Sequence, residues 1–461
     1  MATVTSLEGL EELRAQLRGG LITRQDDTYE QARMVYNAMI DRSPALVVRC
    51  RDVADVRSAL AYGQSNGLDI ALRAGGHNGA GFGSVDDGLV LDLSPMNYVR
   101  VDPSSRTAQV GGGCTMGDID HATHAFGLAT PFGVISTTGV GLLLGGGVGH
   151  LTRKYGLSVD NILGADVVLA DGTLVHANED ENADLFWAIR GGGGNFGVVT
   201  SLTLQLHKQS TVVAGPIIWS LDEAAELLRW YREWISAQPD EVNAWFAFVS
   251  VPPGPPFPEE LHLQKVAALI CTFTGDPADA VEAFAPARAV GTPLLDGVQP
   301  LPLPMWNSAF DAVYPAGDQW YWRGDYFAEI PDAAIDLHLD FARRMPTWKS
   351  TMHLYPSDGA AARVAADATP WAYRGAKWTS VYGGVDPDPA NAEAIKAWTV
   401  EYFEALHPYS MGGSYSNFMM DEGQERVQAA FGSNYARLAE IKAKYDPDNV
   451  FHVNQNIRPA S

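Results

Sequence analysis

The chain has 461 residues, 46% of them hydrophobic, enough for a large core and, at roughly 150 residues per unit, two or three structural units. Its 55 acidic side chains outnumber 32 basic ones, giving a formal net charge of −23, which argues against nucleic acid and anionic membrane surfaces as partners and fits an acidic enzyme. The three cysteines (Cys50, Cys114 and Cys271) are far apart and odd in number, so neither a disulfide framework nor a CxxC metal site is expected.

The opening stretch M-A-T-V-T-S-L-E-G-L-E-E-L has no basic region followed by an apolar one, and no apolar run reaches the roughly 20 residues of a membrane span. A cytoplasmic protein is the expectation. Residues 7–17 have the apolar spacing of a short helix. Strands are predicted at 45–50, 68–72, 89–93 and 107–111, with a helix over 52–67 capped by Asp52 and stopped by Gly67. Asp118, Asp120, His121 and His124 fall on about two helical turns without metal-ligand spacing, and read as a solvated helix face. Residues 165–177 read as a hairpin turning at Asp171-Gly172, followed by a helix at 183–190 and a strand at 198–206.

Beyond about residue 208 glycine thins while tryptophan and proline rise. Strands at 244–250, 267–273, 350–355 and 378–383 alternate with helices at 221–237, 277–289, 331–344 and 388–406. P-P-G-P-P-F-P (252–258) and Q-P-L-P-L-P (299–304) read as loops, because proline lacks the ladder donor. The tail returns to glycine at 411–415 and ends in two further helical stretches.

Glycines cluster at 75–83, 111–113, 145–149 and 191–197. Glycine lets backbone amides approach a ligand, and several such loops point to a large phosphate-bearing cofactor rather than to tight turns alone. Gly192 to Gly197 spells G-x-G-x-x-G, but a helix precedes it and a strand follows, the reverse of the dinucleotide order. No P-loop and no G-x-S-x-G is present.

R-A-G-G-H-N (73–78), G-V-I-S-T-T-G-V-G-L-L-L-G-G-G-V-G-H (133–150), K-Y-G-L-S-V-D-N-I-L-G-A-D-V-V-L-A-D-G (154–172), L-F-W-A-I-R-G-G-G-G-N-F-G-V-V-T (185–200) and K-Y-D-P-D-N-V-F-H-V-N-Q-N-I (444–457) together resemble FAD-linked oxidases of the berberine-bridge-enzyme type, within the vanillyl-alcohol-oxidase-like superfamily. Short bacterial members are the most similar. The resemblance covers most of 40–208 and the last 50 or so residues, and only loosely 209–410. It implies an α+β fold: a two-subdomain PCMH-type FAD-binding domain over 1–208, a substrate domain over 209–410 with an antiparallel sheet flanked by helices, and a segment 411–461 returning to the FAD domain.

The resemblance also implies that His77 bonds covalently to the 8α carbon of FAD. Many members carry a second link through a cysteine in G-x-C-x-x-x-G; here Ile135 stands in that place, so a single histidyl link is expected and Cys114 should be a free thiol. Further contacts with FAD are implied for Arg73, Ala74, Gly75, Gly76, Asn78 and Gly79, for Ser136, Thr137, Thr138, Gly139 and Gly141, and for Gly145, Gly146, Gly147, Gly149 and His150. The same holds for Tyr155, Gly156, Asp160, Asn161, Gly194, Gly197, Val198, Val199, Asn454 and Asn456. Thr138 occupies the place of a residue that gates oxygen, where valine goes with oxidases.

Tyr415-Ser416-Asn417-Phe418 resembles the family's Y-x-N-Y, with Phe418 replacing a tyrosine; Q-W-Y-W-R-G-D-Y (319–326) resembles its aromatic substrate strand. Tyr321, Arg323, Tyr415 and Asn417 are the catalytic candidates, and no base stands out among them. No metal is expected. The implied activity is oxidation of a small or medium aromatic, amine, alcohol or sugar-type substrate with O2 reduced to H2O2, by a monomer or homodimer. A same-fold dehydrogenase with little oxygen reactivity and a flavin-fold drug-binding protein are the alternatives.

Overall fold

Short apolar runs separated by glycine loops become short, fully covered strands. The computed structural model describes residues 7–460, so the first six residues of the opening stretch M-A-T-V-T-S-L-E-G-L-E-E-L lie outside the described residues. Leu46–Arg49, Leu89–Asp92 and Ile70–Arg73 pair in parallel, with Gly20–Thr23 antiparallel at the edge. Leu46, Val47 and Val48 are wholly buried, as a parallel sheet covered on both faces requires. The crossover helix Val53–Ser65 starts where expected: the Asp55 amide donates to Asp52 Oδ1 at 3.1 Å.

A second, antiparallel sheet follows the order Val99–Asp102, Thr107–Gly111, Val198–Gln205, Ile162–Val168, Leu174–Ala177. Its last pair is the expected hairpin, and Gly172 supplies the positive φ of 81° in the turn.

The third large sheet has nine strands. Thr211–Ser220, Lys265–Phe273, Val242–Ser250, Thr351–Pro356, Trp378–Asp386 and Gln319–Arg323 form its continuous antiparallel path. Alternate residues serve alternate faces. Phe246 and Phe248 enter the core under the helices Ala224–Trp234, Asp332–Arg343 and Ala392–Leu406; Trp245 and Ala247 face the glycine loops.

Three expectations are corrected. Q-P-L-P is an edge strand, Gln299–Pro302, pairing Val213 with Pro300 and Thr211 with Pro302. An edge tolerates proline, whose missing donor faces outward. The helix expected over 277–289 breaks into short pieces, with Pro286 opening the last, Ala285–Arg288. Asp120 is not solvated: on the capped helix Met116–His124 it is 5% exposed and accepts from Asn307 Nδ2 at 2.7 Å. Burial raises its pKa to about 7.

The tail comes back to the first half of the chain. Phe451 packs with Leu46, Val48 and Leu91, while Leu438, Ile441 and Ile457 join the core around Phe186 and Phe196. Cys50, Cys114 and Cys271 are buried free thiols. Among the described residues no helix is long and apolar enough to cross a membrane.

Candidate active site

A cavity of about 330 Å³ lies between the glycine loops and the inner face of the nine-stranded sheet. One wall comes from 72–83, 133–148, 194–199 and 453–454; the other carries Trp245, Phe310, Tyr314, Trp320, Trp322 and Tyr355.

The His77 loop leaves the strand Ile70–Arg73. Arg73 anchors it through a buried ion pair with Asp92 at 3.1 Å. Gly76 turns the chain at φ 70°. The His77 ring stacks on Tyr36, centroids 3.8 Å apart, and its Nε2 lies 3.0 Å from Thr137 Oγ1. Burial lowers its pKa to about 4, so the imidazole is neutral at pH 7. With Nε2 engaged, Nδ1 is the nitrogen left with a usable lone pair when the Nε2–H tautomer is present.

The second loop touches the first backbone to backbone. A Cβ on Gly139 would lie 2.4 Å from the Gly75 nitrogen, and one on Gly75 2.6 Å from the Gly139 nitrogen. Ser136 donates both its amide and its hydroxyl to Asp311, and the Thr138 hydroxyl donates to the Ile135 carbonyl at 2.8 Å. Ile135, Thr138 and Gly139 line the cavity, whereas Ser136 and Thr137 sit behind it.

Two features fit a large cofactor with polar edges. Asn454 Oδ1 is buried without a partner in the protein and its side chain lines the cavity. At Gly141, also in the lining, an added Cβ would meet nothing within 4 Å, so the open space there belongs to the cavity.

Among the residues expected at the cofactor, Arg73, Ala74, Gly75, Gly76, His77, Asn78, Thr138, Gly139, Gly141, Gly194, Gly197, Val198, Val199 and Asn454 line the cavity. The others hold its walls. Gly79 makes room for Trp322, 2.5 Å from where its Cβ would stand. Gly145, Gly147 and Gly149 admit Asn417, Ser158 and the Gly133 carbonyl, and Gly146 packs under Trp371 at φ 136°. His150 accepts from Trp306 Nε1 at 3.1 Å, and Tyr155 stacks on His207. Asp160 holds Arg374 in a buried pair at 2.6 Å and sits against Gly156; Asn161 Oδ1 lies 2.6 Å from His207 Nε2. Asn456 Oδ1 is buried and unpartnered outside the lining.

Of the catalytic candidates, Tyr415 and Asn417 line the cavity together with Phe418. Tyr415 Oη accepts from the Gly147 amide at 2.8 Å and Asn417 Nδ2 at 2.6 Å. Burial pushes its pKa up to about 12 against those bonds, so it stays a phenol. Tyr321 and Arg323 do not belong to the cavity. The strand alternates, so Trp320 and Trp322 face inward while Tyr321 lies near Lys396 and Arg323 near Phe403 and Glu422.

The sequence reading overlooked Thr351, His353 and Tyr355, which line the opposite wall. The available signal was period-two polarity in T-M-H-L-Y-P.

Residues 44–178 match the family described as FAD binding domain, and residues 414–458 the family described as Berberine and berberine like. An FAD-linked oxidoreductase of Dictyostelium discoideum is 31% identical, covering 98% of this chain and 97% of its own. The crystal structure of 6-hydroxy-D-nicotine oxidase from Arthrobacter nicotinovorans superposes with a TM-score of 0.85 at 28% identity, covering 96% of this chain and 98% of that one. Glucooligosaccharide oxidase from Acremonium strictum, a protein with 6-S-cysteinyl, 8α-N1-histidyl FAD, has the same fold, with a TM-score of 0.85 at 22% identity over 97% of this chain and 99% of that one. Matched at both its FAD-binding stretch and its berberine-like tail, and aligned end to end with such a relative, the chain belongs to the berberine-bridge-enzyme-like FAD-linked oxidoreductases.

Proposed function

We propose that this oxidoreductase is an oxidase that takes a hydride from a small or medium-sized organic substrate and reduces O2 to H2O2, with FAD held covalently by His77 alone. The observation that carries the reading is the His77 imidazole: neutral, braced by Tyr36 and Thr137, and set in the lining of the cavity between the glycine loops and the nine-stranded sheet.

FAD, when bound, supplies the hydride acceptor and the reactivity with oxygen; the protein aims and tunes. Asn454 would give it a hydrogen-bond acceptor, and the space at Gly141 would take part of its body. Joining a histidine nitrogen to the 8α carbon removes two hydrogens overall, which oxygen can take up as H2O2. A cysteinyl link of the kind named for glucooligosaccharide oxidase needs a sulfur, and Ile135 has none. The Thr138 hydroxyl is spent on the Ile135 carbonyl, which leaves a β-branched side chain close to valine in its remaining character. That supports an oxidase over the dehydrogenase alternative. The same reading assigns 1–208 and 411–461 to holding FAD, and 209–410 to the substrate.

The test is a denaturing gel of acid-precipitated protein under ultraviolet light, with His77→Ala alongside. Fluorescence should stay with the wild-type chain and vanish in the variant. A dark wild-type band overturns the covalent reading. Peroxide release then screens substrates.

A further inference from the structure

Three side chains on one face of the strand Thr351–Pro356 form a hydrogen-bonded row inside the cavity. Residues two apart on a strand share a face. Thr351, His353 and Tyr355 all line the cavity. Tyr355 Oη lies 2.6 Å from His353 Nδ1, and His353 Nε2 lies 2.7 Å from Thr351 Oγ1. The one proton of the Thr351 hydroxyl has an acceptor 3.1 Å away, the Phe248 carbonyl. Thr351 therefore accepts from Nε2–H. Nδ1 is then an acceptor, and the Tyr355 hydroxyl donates to it. The row has a direction, from Tyr355 toward His353.

Other groups in the cavity are poorly placed to take a proton. Among the described residues no Asp, Glu or Lys lines it, and Arg73 is paired with Asp92. His77 is committed to the cofactor in the reading above. Tyr415 already accepts two hydrogen bonds. Tyr314, the remaining phenol of the lining, meets the Lys349 carbonyl at 3.5 Å and the Thr351 hydroxyl. Tyr355 alone among the lining phenols is backed by an imidazole. Around the pair stand Trp245, 4.5 Å from His353 and 4.9 Å from Tyr355 between ring centroids, and Phe418, 5.9 Å from Tyr355.

We infer that Tyr355, backed by His353, takes the hydroxyl proton of the substrate, and that the substrate is an alcohol with an aromatic body. This rests on the oxidase reading above. As the carbinol carbon loses its hydride, the O–H proton passes to Tyr355 Oη and the Tyr355 proton passes to His353 Nδ1. The carbinol becomes a carbonyl, giving up two electrons and two protons. Dioxygen, the oxidant of that reading, finally takes up both electrons and both protons as H2O2, and Tyr355 and His353 return to their starting forms. Burial holds the His353 pKa near 3, so a lone imidazolium is disfavoured. The proton reaches His353 as the carbinol carbon gives up its hydride, and the negative charge that the hydride carries out of the substrate balances the imidazolium until O2 takes up both. The aromatic body is argued from Trp245, Phe310, Trp320 and Trp322 in the same wall.

The test uses the holoenzyme and 2-fluoro-4-nitrophenol, an aromatic hydroxyl probe whose ionisation fluorine NMR reports without flavin interference. Bound to wild type, the probe should ionise at least about tenfold more readily than in water; an apolar pocket without the relay would suppress ionisation. Tyr355→Phe should abolish the effect and His353→Gln should weaken it, with the flavin spectrum unchanged as the folding control. Turnover of benzyl alcohol, read as peroxide, should fall about 100-fold or more in Tyr355→Phe with KM little changed. A bound probe that stays neutral in wild type, or ionises equally in Tyr355→Phe, overturns the relay. So does peroxide formed from benzylamine but not benzyl alcohol, at equal rates in both proteins. Failure of the covalent-flavin reading shows separately, as a dark band on the ultraviolet gel.

Discussion

Gly139 and Gly141 are two residues apart, and the space around them differs. A side chain at Gly139 would be driven into the Gly75 backbone, which cannot yield without moving the His77 loop. A side chain at Gly141 would meet no protein atom within 4 Å, only the cavity. In a His77→Ala background freed of FAD, Gly139→Ala should therefore lower the melting temperature, by an amount matching about 1–3 kcal/mol of overpacking. Gly141→Ala, in the helix Val140–Leu144, should leave that temperature unchanged or slightly higher and still reduce flavin incorporation. Calorimetry and flavin-to-protein absorbance ratios separate the two; equal loss of stability in both would show that Gly141 is a packing glycine. At this scale the place of His77 in the cavity wall was legible, because its glycine-flanked loop had to lie open to something. Tyr321 and Arg323 were misplaced because strand alternation gives two faces and the sequence does not mark which one meets a cavity. Thr351, His353 and Tyr355 were missed because their chemistry lies in bonds to each other, which only the folded strand aligns.

The C-terminal segment behaves as an element only because the glycine loop at 145–149 receives it. Tyr415 donates bulk under Trp371 and accepts from the Gly147 amide and Asn417, while Asn417 also reaches the Leu142 carbonyl at 3.0 Å. Tyr415→Phe keeps the ring and strands a buried amide, a loss of about 1–3 kcal/mol. Limited proteolysis should cut the variant faster around 411–418 than wild type, with the rest of the chain equally resistant; an unchanged digestion pattern would mean that the tail docks through its helices alone. The glycines announced that something packs closely there, and the Y-x-N motif announced what, but neither announced that they meet. Q-P-L-P misled for the converse reason: proline excludes a strand from a sheet's interior but permits an edge, and edge position is a property of the whole sheet.

Across the whole molecule, three buried histidines and two half-buried ones shape the response to acid. Burial lowers His77 and His207 to about 4 and His150, His338 and His353 to about 3. In the unfolded chain each would take a proton near pH 6.5. The unfolded state therefore binds these protons first, and stability falls as the pH drops below about 6.5 toward the folded values. Two carboxyls oppose this. Burial raises Asp120 to about 7 and Asp325 to about 6, so the folded state takes their protons before the unfolded one does. More imidazoles than carboxyls shift, so the balance favours unfolding as the pH falls from about 6.5 toward the folded values. Three of these groups stand where the halves of the chain meet: His150 meets Trp306, Asp120 meets Asn307, and His353 lines the cavity. Acid should thus melt the contact between the halves and the active site with it. Melting temperatures at pH 7.5, 6.5 and 5.5 should be nearly level over the first step and fall steeply over the second, and His150→Asn should flatten that fall. A melting temperature that holds level down to pH 5 would mean that the buried imidazoles are hydrated or paired in solution.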